Sequence, residues 1–230
     1  MFSIKPGPRN LPIDNPTLLS WNITDGDLNS KLNTLEYLNC ITNIINSCGV
    51  YPQGLKDREI ISTFHAEKVI NDQVTFEFYS SYTYLAMAAY CESIDLSGFA
   101  NFFRVQAQEE IDHAMKFYDY VFQKGGTVVL GQIDKPKETY TDIIEVFETG
   151  LAHEELVTRK IYNIMDIAVS EKEHATISFL NWFVDEQVEE EDNFTTLLKK
   201  VKRCADNPHA LYMLDDELSQ RVYVALATNE

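Results

Sequence analysis

A glutamate and a histidine three residues apart stand in the segment AQEEIDHAMKF, as Glu110 and His113. This spacing places both side chains on one face of an α-helix. Carboxylates combined with an imidazole suit Fe(II) better than soft thiolate ligands do. The same spacing also arises by chance on solvated helix faces, so the pair predicts a metal site only when residues on other helices support it.

The positions at steps of three or four around this pair are largely apolar, which predicts that the pair faces the core. Three further helical segments carry acid near the middle of an apolar face, at Glu77, at Glu154, and at Glu190 together with Gln187. Burying an unpaired carboxylate costs several kcal/mol, and bound cations are the simplest compensation for so many of them. Surface charge remains the alternative for the neighbouring acids Glu109, Asp112, Glu189 and Glu191.

Long segments free of internal breaks must position these residues. Helices are predicted at residues 62–91, 97–124, 140–168 and 172–205, with a shorter fifth at about 210–224. The connection between the second and third helices has about 14 residues, whereas adjacent antiparallel helices are usually joined by roughly 2–8. The pattern predicts an all-α four-helix bundle with one long crossover and a short fifth C-terminal helix.

The charge of the chain restricts its partners. There are 19 basic and 36 acidic residues, a net charge of −17, which disfavours nucleic acid and anionic membranes and suits cations. No apolar run approaches the roughly 18 residues of a membrane span. The N-terminus lacks the apolar segment of a secretory signal and has too few arginines for a transit peptide. The cysteines have no metal-site spacing, so we expect reduced thiols in a cytoplasmic protein.

Residues 1–60 differ in composition from the rest of the chain. Prolines and glycines are frequent at the start, and one amphipathic helix is predicted at about 27–48, with Gly49 as its C-terminal end. We therefore expect an N-terminal extension at 1–60 and one domain at 61–230.

Four segments of that domain resemble the signature regions of bacterial non-haem ferritins. They are NDQVTFEFYSSYTYLAMAAYC, FFRVQAQEEIDHAMKFYDYV, FLNWFVDEQVEEEDNF and ALYMLDDELS. The resemblance covers about residues 65–222 and implies a ferritin-like four-helix bundle. It also implies an iron-storage protein of the cytoplasm, built as a homo-oligomeric shell of 24 subunits. Such a protein oxidises Fe(II) with dioxygen or hydrogen peroxide at a di-iron ferroxidase centre.

Matching the motifs residue by residue, the resemblance implies that Glu77, Glu110 and His113 bind the first iron. Glu110 would bridge to a second iron, which Glu154 also binds and near which Gln187 lies. The acids implied for a third iron site are Glu109, Glu186, Glu189 and Glu190.

Two positions separate this chain from relatives of the same fold. The fourth helix reads EQVEE, without the second Glu-x-x-His element of bacterioferritins and rubrerythrin-like proteins, so the site is expected to be asymmetric. Ile111 stands where bacterioferritins have a haem-ligating methionine, so no haem is expected. Tyr84 matches a tyrosine beside the centre, which the resemblance implies is a hydrogen-bond partner and electron donor.

Two alternatives stay open at this point. One is a di-metal peroxidase like rubrerythrin or manganese catalase, and the other is an iron-storage shell subunit without a working centre. The fifth helix favours a 24-subunit shell over twelve-subunit mini-ferritins. For the extension at 1–60, contact with a neighbouring subunit, binding of a partner and altered assembly all remain open.

Overall fold

The structure is a computed structural model that describes the backbone of residues 57–226 and the side chains of residues 67–226. The predicted helix at 27–48, its end at Gly49, and Cys40 and Cys48 lie outside the described residues. The assignment of an N-terminal extension therefore stays a prediction.

The described residues form five α-helices and no strand, which confirms the all-α class. The helices are α1 Asp57–Ser93, α2 Ser97–Gln123, α3 Ile143–Glu171, α4 His174–Cys204 and α5 Pro208–Ser219. The fifth helix ends at Ser219 rather than at residue 224, so its predicted C-terminal end was wrong. The chain leaves the helix there because the Asn101 side chain binds the carbonyl oxygens of Leu218, Ser219 and Arg221. None of these helices has an apolar stretch long enough to cross a membrane.

The crossover between α2 and α3 runs back along α1. At one end, the Asn71 amide donates to the Thr127 carbonyl at 3.0 Å and accepts from the Val129 amide at 2.8 Å. At the other end, the Tyr140 ring lies 5.1 Å from that of Tyr90, about five turns further along α1. The crossover therefore returns the chain to the end of the bundle where α2 began, and α3 runs parallel to α2.

Side chains at the helix starts satisfy amide groups that have no partner within the helix. At α3, Asp142 accepts from the Glu145 amide at 2.8 Å, and the Glu145 carboxylate accepts in return from the Thr141 amide at 2.6 Å. At α5, Asn207 accepts from the amides of the first turn, and Pro208 fits the first helical position because it has no amide hydrogen to satisfy. These caps fix where the two helices begin.

The α5 helix packs directly on the start of α2. A Cβ on Gly98 would lie 1.7 Å from the Asp215 carbonyl oxygen, so only glycine allows this approach. The Asp215 side chain accepts from the Phe99 amide at 3.0 Å, and Leu214 and Leu218 are buried in the contact. The fifth helix is thereby part of the same packed body as the long helices.

Two apolar clusters fill the bundle, one toward each end. The cluster near α5 contains Tyr84, Met87, Phe99, Phe103, Phe147 and Phe194 among others. The opposite cluster contains Ile70, Val74, Phe117, Ile161, Leu180 and Phe183 among others. On each long helix, the acidic positions predicted to face the core lie between the residues of the two clusters.

Candidate metal centre

A layer of buried polar side chains lies between the two apolar clusters. Each long helix contributes to this polar layer, whose members are Glu77, Glu110, His113, Glu154, Gln187 and Glu190. All six are at most 4% exposed. The helical period predicted that these positions face the core, and the structure agrees. Four carboxyl groups buried away from water need bound protons, hydrogen-bond donors or cations to offset their charge.

On the side formed by α1 and α2, two carboxylate oxygens lack partners. Gln73 Nε2 donates to Glu77 Oε1 at 2.8 Å, and His113 Nδ1 lies 3.4 Å from Glu110 Oε2. The second oxygen of Glu77 and the same Oε2 of Glu110 are buried without a hydrogen-bond partner among the described residues. Buried oxygens of this kind are rare in folded proteins, and here a proton shared between the Glu77 and Glu110 carboxyls or a bound cation satisfies them.

On the side formed by α3 and α4, neutral donors hold the acids. The Tyr84 hydroxyl donates to Glu154 Oε1, and Gln187 Nε2 donates to Glu154 Oε2 at 3.1 Å. Gln106 Nε2 donates to Glu190 Oε2 at 2.9 Å. The expected hydrogen-bonding role of Tyr84 is thus present in the structure. We assigned no role to Gln73 or Gln106 from the sequence, although each lies four residues before a core-facing acid.

Burial shifts the protonation of the polar layer. It raises the pKa of Glu77 to about 8, with a further contribution from the Glu110 carboxyl. It also raises the pKa of Glu154 and that of Glu190 to about 8, and each has a neighbouring carboxyl as the second cause. The pKa of Glu110 lies well above its usual range, for burial and then for the Glu190 charge. Near neutral pH, these carboxyls hold protons that a cation can replace.

The acids of the polar layer do not converge on a single point. Among the described residues, no three His, Cys, Asp or Glu side chains converge closely enough to hold one. These carboxyls accept hydrogen bonds from neutral donors such as Gln73, Tyr84 and Gln106. Oxygen ligands with one imidazole and two unpartnered carboxylate oxygens nevertheless fit Fe(II).

The acids expected to form a third site lie at the edge of the polar layer. Glu186 Oε1 is 3.9 Å from His113 Nε2, and Glu189 is exposed beside it. Glu109 is partly buried, and its carboxylate is paired with the Arg221 guanidinium at 2.7 Å. Burial raises the pKa of Glu109, and Arg221 opposes this shift. The structure therefore places Glu109 and Glu186 beside His113, and it gives Glu109 an internal counterion that the sequence did not predict.

His153 is a buried histidine to which we assigned no role from the sequence. Its Nε2 lies 2.8 Å from the Ser80 hydroxyl, and its ring packs edge-on against Tyr84 at 5.7 Å. Burial lowers the pKa of His153 to about 4, with a smaller contribution from Lys160. A neutral His153 therefore supports the Tyr84 ring from behind and adds no charge to the layer.

The comparison with known families decides the relationship. Residues 67–204, which include every member of the polar layer, match the ferritin-like domain. The chain belongs to the ferritin family. This confirms the resemblance read from the sequence motifs.

Individual relatives within the family agree with this assignment. A bacterial non-heme ferritin of Staphylococcus haemolyticus is 44% identical over 156 residues, which cover 68% of this chain and 94% of the relative. The same kind of protein from Staphylococcus saprophyticus is 45% identical over 154 residues, covering 67% and 92%. The open pore ferritin of Archaeoglobus fulgidus superposes with a TM-score of 0.68 at 41% identity, covering 69% of this chain and 96% of that one.

A further relative matches a shorter part of the chain at higher identity. The protein YgaQ of Escherichia coli O157:H7 is 93% identical over 72 residues, which make up 31% of this chain and 10% of YgaQ.

Proposed function

We propose that this chain is an iron-storage protein with ferroxidase activity. It oxidises Fe(II) with dioxygen or hydrogen peroxide at a di-iron centre within the subunit, and it deposits ferric mineral inside an oligomeric cage. The observation that carries the proposal is the polar layer, in which buried acids from four helices include two carboxylate oxygens without partners. Membership of the ferritin family and the names of the relatives support iron as the metal.

In this proposal, the residues of the polar layer divide between two iron positions. Glu77 and His113 bind one iron, Glu154 binds the other, and Glu110 lies between them as the shared ligand. Gln187 is held beside Glu154 and contributes a neutral oxygen or a hydrogen bond. The carboxyls lose their protons as the irons bind, so that positive metal charge offsets negative ligand charge in the dry core. Glutamate oxygens also stabilise the ferric state more than the ferrous state.

The redox step is balanced by the substrates. Two Fe(II) ions supply two electrons, which reduce dioxygen to hydrogen peroxide or hydrogen peroxide to water. Tyr84 holds Glu154 by its hydroxyl and thereby orients this ligand. The buried position of the layer confines the reaction and excludes bulk water.

The third iron position and the haem-free character are further parts of the proposal. Glu109, Glu186, Glu189 and Glu190 would receive iron beside the pair and pass it toward the mineral. Ile111 has no atom that could ligate haem iron, so we propose a haem-free protein. Gln187 and Glu190 stand where a peroxidase with a symmetric site would have its second Glu-x-x-His element, and neither is a histidine, which disfavours that alternative.

We also propose a homo-oligomer of 24 subunits in the cytoplasm. The Archaeoglobus fulgidus ferritin has an open pore, and a closed form of it has been engineered, which supports an assembled cage as the working form of this chain too. Cys91 and Cys204 are buried free thiols, as expected in a reducing compartment. Residues 1–60 would contact a neighbouring subunit or a partner outside the cage.

The test is aerobic oxidation of Fe(II) by the metal-free protein, followed by sizing of the particle. Oxidation should be much faster than in buffer, and the particle should far exceed the 26.4 kDa of one chain. Glu110→Ala should abolish the fast phase because it removes the shared ligand. Glu155→Ala is the matched control, since it removes an exposed carboxylate next to Glu154. An equal rate in protein and buffer, or an unaffected Glu110→Ala, refutes the proposed centre.

A further inference from the structure

The chain beyond α5 lies along α2, beside the polar layer. Asn101 Nδ2 anchors its start by donating to the Arg221 carbonyl at 2.9 Å. Further along, the Tyr223 hydroxyl donates to Asp112 Oδ2 at 2.6 Å. This C-terminal segment, residues 220–226, is therefore attached at two points about three turns apart on α2.

Between these two points, the Arg221 guanidinium rests on Glu109. Its Nη2 lies 2.7 Å from Glu109 Oε2, and its central carbon lies 4.6 Å from the centre of the Phe102 ring. Its other terminal nitrogen is buried and has no hydrogen-bond partner among the residues that the structure describes. The two charged side chains are 26% and 25% exposed. The Glu109 carboxylate and the face of the Phe102 ring thus hold the Arg221 guanidinium, one of whose nitrogens has no acceptor among the described residues.

The same carboxylate is a ligand of the proposed third cation position. Glu109 precedes Glu110 in the chain, and it lies close enough to Glu186 for the two carboxyls to repel each other. A guanidinium and a divalent cation on one carboxylate also repel each other, so each weakens the binding of the other. This competition is stronger at a partly buried position than it is on an open surface.

We propose that Arg221 is a tethered competitor for the third cation position. Its guanidinium occupies Glu109 when no cation is bound, and a divalent cation has to displace it. The C-terminal segment thereby sets how easily this position fills and empties, while Glu77 and Glu154 of the iron pair keep their own partners. The inference rests on the proposed function because it needs Glu109 as a cation ligand.

The experiment measures Zn(II) binding to the full-length, metal-free protein by calorimetry. Zn(II) is redox-inert, so binding is observed apart from oxidation. In Arg221→Gln, the weakest of three binding events should tighten about fivefold, which corresponds to about 1 kcal/mol for a partly exposed ion pair. Arg221→Lys keeps the charge and should stay closer to the unmodified protein. Arg203→Gln removes the same charge from an exposed position on the last turn of α4 and should change binding far less.

Each result decides the inference. An unchanged third event in Arg221→Gln overturns it, and a weakened one shows that Arg221 supports Glu109 instead of competing for it. An equal gain in Arg203→Gln attributes the effect to net charge and also overturns it.

Glu109→Gln separates this inference from the proposed function. If Glu109→Gln leaves every binding event unchanged, the proposed third position is wrong and the inference falls with it. If it removes the weakest event while Arg221→Gln has no effect, the third position stands and only the role of Arg221 is refuted.

Discussion

Binding of a divalent cation to the polar layer should release protons, and Glu77→Gln should release about one fewer. The reason is the protonation of Glu77, whose pKa is raised to about 8 by burial and by the Glu110 carboxyl. At pH 7, a carboxyl with this pKa is about nine-tenths protonated, and at pH 9 it is about one-tenth protonated. A glutamine of the same shape has no proton to lose. The expected difference between the two proteins is therefore about 0.9 proton per subunit at pH 7 and about 0.1 at pH 9.

Calorimetry measures this difference directly. Zn(II) is titrated into metal-free protein at one pH in two buffers of different ionisation enthalpy, and the difference in heat gives the number of protons released. The substitution removes the Glu77 carboxyl and leaves the other members of the polar layer in place. Glu155→Gln, which alters an exposed carboxylate, should release as many protons as the unmodified protein.

Two results contradict this reasoning. If Glu77→Gln releases as many protons as the unmodified protein at pH 7, Glu77 is already ionised before the cation binds or does not contact it. If the difference persists undiminished at pH 9, the protons come from a group with a higher pKa than that of Glu77.

Three further predictions concern stability and the site. Metal-free protein should lose stability between about pH 5 and 8, measured as the thermal midpoint at fixed subunit concentration. Burial raises the pKa of Glu154 from its ordinary 4.5 to about 8, so the stability contributed by its protonated form is complete below pH 4.5 and is lost as the pH rises to 8. A midpoint that rises over this range contradicts the burial argument. Gly98→Ala should destabilise by about 1–3 kcal/mol and expose α5 to protease, because its Cβ meets the Asp215 carbonyl at 1.7 Å. Gly131→Ala is the control, because the nearest atoms to its Cβ would be those of the Thr75 side chain at 3.3 Å. Tyr84→Phe removes a hydrogen bond to Glu154 of about 1.5–3 kcal/mol, so Zn(II) affinity should fall about tenfold or more, and an unchanged affinity would mean that the phenol does not orient this ligand.

The helical period was enough to predict the burial of Glu77, Glu110 and Glu154. Steps of three and four residues define one face of a helix, and acids on an otherwise apolar face must enter the core. The bundle and its crossover followed from helix lengths and one long connection. These features depend on local sequence, so a single chain reveals them.

Contacts between distant parts of the chain could not be predicted in this way. The pairing of Gln106 with Glu190 joins two helices whose rotation the sequence does not specify. The end of α5 at Ser219 depends on Asn101, which lies more than 100 residues earlier. The ion pair of Arg221 with Glu109 depends on the end of α5 at Ser219, because in a longer helix Arg221 would lie at a different position.

The polar layer also restricts how the four long helices can slide past one another. Moving one helix by a single turn, about 5.4 Å, would push a carboxyl into a cluster of aromatic rings and put an apolar side chain against the remaining acids. Both exchanges are unfavourable, whereas a bundle with a uniformly apolar core tolerates such shifts. The acids therefore specify a single axial alignment of the helices, even before a metal binds. A protein that has to present ligands from four separate helices in one plane gains this alignment from the ligands themselves.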